Sequence, residues 1–301
     1  MVTYSGQQNY QADPEEEIAR EAANPLDEPF ISIDWVKGKL EEGRVKFQEF
    51  YDNCNESEDF YLNRFDFNIP ETGTMLRLGT AQSVINSLVA HVTPQFIDIS
   101  VPAPGARGQA RAENMEKFLT GANHMIEQLS PTRREIAKHM ALYGIAFEKT
   151  EFAANRWEEF PEPPEGNEGL AEYKEKLNDI LERRNINFPM HSTAINPKMM
   201  VWDTNNGPNS RWVIHFYEID AEWVNAHFPE WTGPLSGQVQ FVEVWTHSQV
   251  AYMADGRWAL QPKKHGYGTL PFTIYHPNTG LVTEGGKPEE IYRGILHGTL
   301  T

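Results

Sequence analysis

Between Lys263 and Gly280 the sequence KKHGYGTLPFTIYHPNTG gathers the residue types that could do chemistry: two histidines, two close glycines and an aromatic-rich run. Read as a site rim, His265 would serve as a base beside a glycine loop at Gly266 and Gly268, with His276 further along. Read blandly, the stretch is a turn feeding a strand. Phe272, Ile274 and His276 alternate with Thr273 and Tyr275, so one face packs and the other does not. Pro271 suits a strand start or an edge, because it cannot donate a ladder hydrogen bond. No nucleophile or orienting acid lies near His265 in sequence, which favours the bland reading.

Other constellations are thinner. The sequence contains no G-x-S-x-G elbow, no G-x-x-x-x-G-K-[ST] loop and no G-x-G-x-x-G between a strand and a helix. Gly266-Tyr267-Gly268 precedes a strand, the wrong context for a phosphate cradle. The ten histidines are scattered, with no H-E-x-x-H or H-x-H spacing. His124, His139 and His215 fall inside expected helices or strands and read as structural. Glu15-Glu16-Glu17 and Glu158-Glu159 sit in polar runs with no apolar pocket to raise a carboxyl pKa, so they read as solvated. Trp202, Trp212, Trp223, Trp231, Trp245 and Trp258 mingle with apolar and acidic neighbours, which reads as core and subunit interface rather than a base-stacking platform. No catalytic, cofactor-binding or metal-binding residue is assigned, and no cofactor is expected.

The composition narrows the classes. The 301 residues carry 26 Lys and Arg against 43 Asp and Glu, a formal charge of −17, which disfavours tight binding to DNA phosphates. An acidic surface past which DNA slides is allowed. A single cysteine, Cys54, excludes an internal disulfide and a cysteine-built zinc site, and reads as a buried or half-buried thiol. The N-terminus lacks the basic and apolar regions of a signal peptide, and no apolar run reaches membrane-spanning length. These features point to a reducing cytoplasm.

Residues 1–29 are acidic and broken by Pro14, Pro25 and Pro29, which reads as a flexible arm suited to ordering on a partner. A helix is expected from Asp34, as its cap, with Trp35, Leu40, Val45, Phe47, Phe50 and Tyr51 as its apolar stripe; Gly38 and Gly43 weaken it. Further helices are expected over Thr80–His91 and Gln109–Leu129, and over a segment starting at Pro131 and ending at an αL cap at Gly144. Strands are expected over Gln95–Val101 and in IAFEKTEFA. Residues 155–189, acidic and proline-rich around LAEYKEKLNDILERRN, read as a charged insertion or helical arm. From Pro189 the pattern is mostly β: MMVWD, RWVIHFYEI, a short helix capped by Asp220, then VQFVEVWTH, SQVAYMAD, RWALQP and TLPFTIYH. Asp255-Gly256 marks a two-residue hairpin.

The order of these elements, with certain phrases, resembles the portal (head–tail connector) proteins of tailed bacteriophages, from about Phe30 to the C-terminus. The phrases are PQFIDISVP, ALYGIAFEKTEF, NPKMMVWD with Asp203, a strand with Glu243-x-Trp245, the Asp255-Gly256 hairpin, and Gly266-Tyr267-Gly268-x-x-Pro271-Phe272. The pattern of elements along the chain reads as an α+β fold, N-terminal helices followed by a small antiparallel β-sheet, and the resemblance implies a portal-wing version of it. Its parts would be an arm (1–29), a helical wing part with short strands (30–154), the insertion (155–189), an antiparallel β wing part (190–285) and the approach to a stem helix (286–301). The family's stem, clip and crown would then follow beyond residue 301. It further implies a non-enzymatic ring, commonly a dodecamer, at the unique capsid vertex of the virion, assembled in the host cytoplasm. Its expected partners are further copies of itself, the major capsid protein, scaffold, large terminase, a head–tail adaptor and double-stranded DNA passing through without sequence-specific binding. Another virion assembly protein, such as an adaptor or scaffold-associated factor, is the alternative; an enzyme with a site near His265 or His276 is the third reading.

Overall fold

The computed structural model describes residues 31–64, 79–93, 99–103, 105, 108–153, 159–164, 166, 169–186, 188–204, 210–276 and 292–296. The arm over 1–29 and residues 94–98 of the strand expected over Gln95–Val101 lie outside them; residues 99–101 carry no regular structure. The chain is α+β, with six α-helices among the described residues and two antiparallel sheets. The helices are α1 (Ile33–Tyr61), α2 (Thr80–Val92), α3 (Gln109–Leu129), α4 (Thr132–Tyr143), α5 (Leu170–Ile186) and α6 (Ala221–His227). Strands β1 (Ala146–Phe152), β2 (Met190–Ile195) and β8 (Phe272–Tyr275) form one sheet in the order β2-β1-β8. Strands β3 (Met200–Trp202), β4 (Trp212–Asp220), β5 (Gln238–Thr246), β6 (Gln249–Ala254) and β7 (Arg257–Lys264) form a meander in chain order.

Two corrections follow for the β half. The expected single sheet is two sheets, and TLPFTIYH does not close the meander. Its strand β8 crosses to β1, pairing Phe272 with Lys149 and Ile274 with Phe147. Strand β2, which no local pattern singled out, pairs with the other edge of β1, setting Ile195 opposite Phe147. Alternation along a segment specifies a strand and its faces but not its neighbour.

Helix α1 is continuous despite two glycines. Ser32, not Asp34, caps it: its Oγ accepts the Trp35 backbone N–H at 3.1 Å. Asp34 sits in the first turn, where a carboxylate favours the positive helix end. The buried positions are Val36, Leu40, Gly43, Phe47, Phe50, Cys54, Ser57 and Tyr61, alternating steps of four and three that keep one stripe inward. Val45, expected in that stripe, is 78% exposed. The stripe lies on the face of the meander that carries Ile214, Val244 and Met253, with Trp35 meeting Trp212 edge-on at 5.6 Å.

Trp202 is the hub where helix and sheets converge. It is 2% exposed, and its ring centroid lies 4.3 Å from Phe47, 4.9 Å from Phe147, 6.1 Å from Phe50 and 5.7 Å from Tyr292. Those partners come from α1, β1 and the 292–296 segment. The same segment closes the end of α4, because Ile295 N–H donates to the Ala141 carbonyl at 2.7 Å. That bond satisfies one of the carbonyls a helix end leaves without a partner. The expected cap at Gly144 is present at φ +75°, and Pro131 precedes the first helical residue of α4 by one position.

The two glycines of α1 give a paired test. A methyl at Gly38 would meet nothing within 4 Å, whereas one at Gly43 would stand 2.7 Å from Val201 Cγ2, on a fully buried valine. Gly38→Ala should therefore stabilise the fold by up to about 1 kcal/mol through helix propensity. Gly43→Ala should destabilise it, overpacking of about 1–3 kcal/mol outweighing the same gain. Urea midpoints shifting in opposite directions would bear this out; equal upward shifts would contradict it.

Candidate functional site

Three of the sequence phrases, ALYGIAFEKTEF, Glu243-x-Trp245 and Gly266-Tyr267-Gly268-x-x-Pro271-Phe272, meet at one buried cluster between the two sheets, centred on Lys149 of β1. Period-two geometry turns Phe147, Lys149 and Glu151 to the same face of their sheet, toward the meander. On β5 the same periodicity puts Glu243 and Trp245 side by side, which is the reason for the Glu243-x-Trp245 spacing. Lys149 Nζ donates to Glu243 Oε2 at 2.6 Å and pairs with Glu151 Oε1 at 3.0 Å. Its ammonium lies over the rings of Trp245, 5.2 Å away, and Phe272, 6.0 Å away. Phe272 belongs to the Pro271-Phe272 phrase and is cross-strand to Lys149.

Both carboxylate oxygens of Glu243 are occupied. Oε2 also accepts Trp245 Nε1–H at 3.1 Å, Oε1 accepts the Tyr217 hydroxyl at 2.9 Å, and His215 Nδ1 stands 3.5 Å from Oε1. Burial alone would raise the Glu243 pKa, but the approach of His215 and the Lys149 charge outweigh it and hold the carboxyl well below its usual range. Burial opposes the Lys149 charge too, yet Glu243 and Glu151 hold its pKa above the ordinary lysine value. The arrangement keeps one buried cation and one buried anion ionised at neutral pH, each held by several partners.

The glycine phrase is part of the same cluster. His265 donates from Nε2 to the Thr246 carbonyl at 3.0 Å and accepts the Tyr267 N–H at Nδ1, 3.3 Å away. Both ring nitrogens are thus committed to backbone, and the ring packs 5.5 Å from Trp245. Tyr267 reaches over to accept the Phe152 N–H at the end of β1, 3.1 Å away. Gly268 takes φ +69°, the left-handed conformation that lets the loop turn back toward β8. His276 does not join His265; it is packed against Tyr292, and burial pushes its pKa down.

The remaining sequence candidates sit elsewhere. Asp203 closes the loop between β3 and β4: it is 2% exposed and receives Arg211 Nε at 2.8 Å. Ahead of it, the Asn196 side chain accepts the Lys198 N–H at 3.0 Å, and Lys198 Nζ reaches α1 to donate to Glu58 at 2.6 Å. Tyr143 donates to the other oxygen of Glu58. Burial would raise the Glu58 pKa, but the bonds from Lys198 and Tyr143 outweigh it and hold it down. Cys54 is buried nearby, and burial raises its thiol pKa. His139 packs on Tyr143, with burial pushing its pKa down to about 4. Of the tryptophans read as core or interface, Trp202, Trp231 and Trp245 are buried and Trp223 is 40% exposed. No group of three or more metal-ligating side chains occurs among the described residues.

Lys149 itself carried no signal in the sequence beyond its parity with Phe147, since a lysine in a Glu-Lys-Thr-Glu run reads as solvent-facing. Glu243→Gln should cost about 3–5 kcal/mol at neutral pH, because it leaves the Lys149 charge buried with Glu151 as its remaining carboxylate. The pH dependence has a defined sign. A depressed folded-state pKa stabilises fully above the unfolded glutamate value of about 4.3 and fades as pH falls below it. The gap between wild type and Glu243→Gln should therefore narrow between about pH 5 and pH 3 in urea unfolding; a constant gap would contradict the assignment. No protein-family model and no curated protein matches the chain.

Proposed function

We propose that this chain is a subunit of a phage portal, a homo-oligomeric ring at the capsid vertex through which double-stranded DNA passes during packaging and ejection. The observation that carries the reading is the convergence of three of the six phrases on Lys149. FEKTEF and the Glu243-x-Trp245 strand are joined by a contact that spans 94 residues of chain, and Gly266-Tyr267-Gly268-x-x-Pro271-Phe272 completes the same cluster. Phrases that converge in space behave as a single structural signature, which gives the resemblance more weight than the same phrases scattered over unrelated surfaces.

The charge supports the same reading. A chain with a formal charge of −17 presents a repulsive surface to a duplex, which suits a conduit to which DNA must not adhere. In this reading the subunit's partners are its ring neighbours, the capsid shell and scaffold during assembly, the terminase during packaging and an adaptor afterwards. Catalysis is no part of it: the saturated Glu243–Lys149 cluster is a structural clamp.

Negative-stain electron microscopy and native mass spectrometry of the product of the complete gene provide the test. Closed rings of uniform stoichiometry with a central opening are the expected result. A homogeneous monomer at every salt concentration would overturn the proposal.

A further inference from the structure

We infer that the cleft between α1 and the β3–β4 loop is the docking site of the chain's own acidic N-terminal tract, Asp13-Pro14-Glu15-Glu16-Glu17. The cleft has a volume of about 180 Å³ and is walled by Trp35, Trp212 and Trp202. Three cations line it: Lys39, Lys46 and Arg211. Lys39 is paired with Glu42 at 2.6 Å and lies over the Trp212 ring, and Arg211 is paired with Asp203. Lys46 differs: it donates to the Thr204 hydroxyl at 2.6 Å and has no carboxylate partner among the described residues. Cations outnumber carboxylates in this cleft, on a chain whose formal charge is −17.

Charge and length both fit the occupant. Residues 1–30 hold seven carboxylates against one arginine, Arg20, and three of those carboxylates are consecutive behind Pro14. The arm enters the structure at Ile31, directly before the Ser32 cap of α1. Trp35, Lys39, Gly43 and Lys46 then follow along one side of that helix, so the cleft begins within a turn of the arm's point of entry. Lys46 lies about 21 Å along the helix from Ser32. The chain from Glu17 to Ser32 spans up to about 50 Å when extended, so the tract folds back over the cleft with slack. Tethering favours the arm of the same chain over free competitors, at an effective concentration on the order of millimolar. Gly43 keeps the cleft floor low where a side chain would collide with Val201. The contact is electrostatic and solvent-facing, hence weak and displaceable by a more acidic partner. It is independent of the portal reading.

Carbodiimide coupling tests it directly, since the reagent joins an ammonium to a carboxylate only when the two are in contact. An equimolar mixture of unlabelled and nitrogen-15-labelled full-length protein is cross-linked and digested, and the peptides are weighed. The expected product joins Lys46 or Lys39 to residues 13–17 within one isotope class. Its yield should fall several-fold in Lys46→Glu and in about 1 M salt, where the screening length is about 3 Å. Coupling should return when Lys46→Glu is combined with Glu15→Lys, Glu16→Lys and Glu17→Lys, with the roles of ammonium and carboxylate exchanged between the arm and position 46. Lys46 is exposed, so its replacement leaves the fold intact, which the unfolding midpoint checks. Absence of the product, insensitivity to Lys46→Glu, or coupling only between isotope classes would each overturn the assignment.

Discussion

The Lys149–Glu243 pair is the constraint to which the rest of the structure is fitted. It joins two separate sheets, with no backbone hydrogen bond between their strands among the described residues, across 94 residues of chain. At 2.6 Å the attraction is on the order of 6 kcal/mol with an effective dielectric constant near 20, while desolvating the two ions costs several kcal/mol each. The pair alone therefore comes close to cancelling. What tips the balance is the surrounding shell: Tyr217 and Trp245 donating to the carboxylate, Glu151 taking a second share of the ammonium, and the faces of Trp245 and Phe272 beside it. An apolar seam of equal area would hold the sheets together as firmly but would tolerate sliding. A saturated ion pair does not, because a shift of one residue along either strand turns one of its members to the opposite face.

From that fixed register the long helix acquires its length and its glycine. Helix α1 must pack the outer face of the meander near Trp212 and still reach Tyr143 of α4 through Glu58. Twenty-nine residues of helix cover that distance, and at Gly43 the helix passes close enough to Val201 that no side chain fits. Trp202 fills the junction thus defined, touching aromatic rings from α1, β1 and the 292–296 segment. The aromatic hub and the ionic clamp are complementary. One supplies area removed from water, the other direction.

Much of the local structure was legible because it rests on local physics. The Asp255-Gly256 turn has both residues at positive φ, as a two-residue hairpin requires, and Gly144 ends its helix in the left-handed region. The helix over Gln109–Leu129 was readable to the residue. What escaped was non-local. Nothing in FTIY announces that its partner is β1 rather than β7, and the partner was what divided one expected sheet into two. Val45 lies outside the buried stripe of α1 because Gly43 and Cys54, weak hydrophobes, occupy buried turns where a bulkier side chain would be the usual occupant. Ser32 displaced Asp34 as cap for a related reason: either side chain can accept an N–H, and tertiary entry of the chain decides which one does. For the site, His265 drew notice by type while Lys149 did not, since burial, which reverses their importance, is a property of the assembled sheets.

Burial also alters how the composition should be read. A net charge counts every lysine equally, but Lys149 is nine-tenths buried and Lys198 is tied to Glu58 beneath α1. Lys149 is screened from solvent together with Glu243, and Lys198 and Glu58, partly exposed, neutralise each other, so the excess of acid is carried by the remaining surface carboxylates. The field met by an approaching polyanion is then set by the unpaired carboxylates, with fewer surface cations to dilute it than a count along the sequence suggests. Against that background a local cluster such as Lys39, Lys46 and Arg211 stands out, because the surrounding acidic field raises the selectivity of any cationic cleft for a tethered anion over a free one. Free polyanions are repelled before they arrive, whereas a tract on the same chain is already inside the field. In the docking inferred above, the acidic body and the cationic cleft would act in the same direction, the one repelling free polyanions and the other holding the chain's own tract.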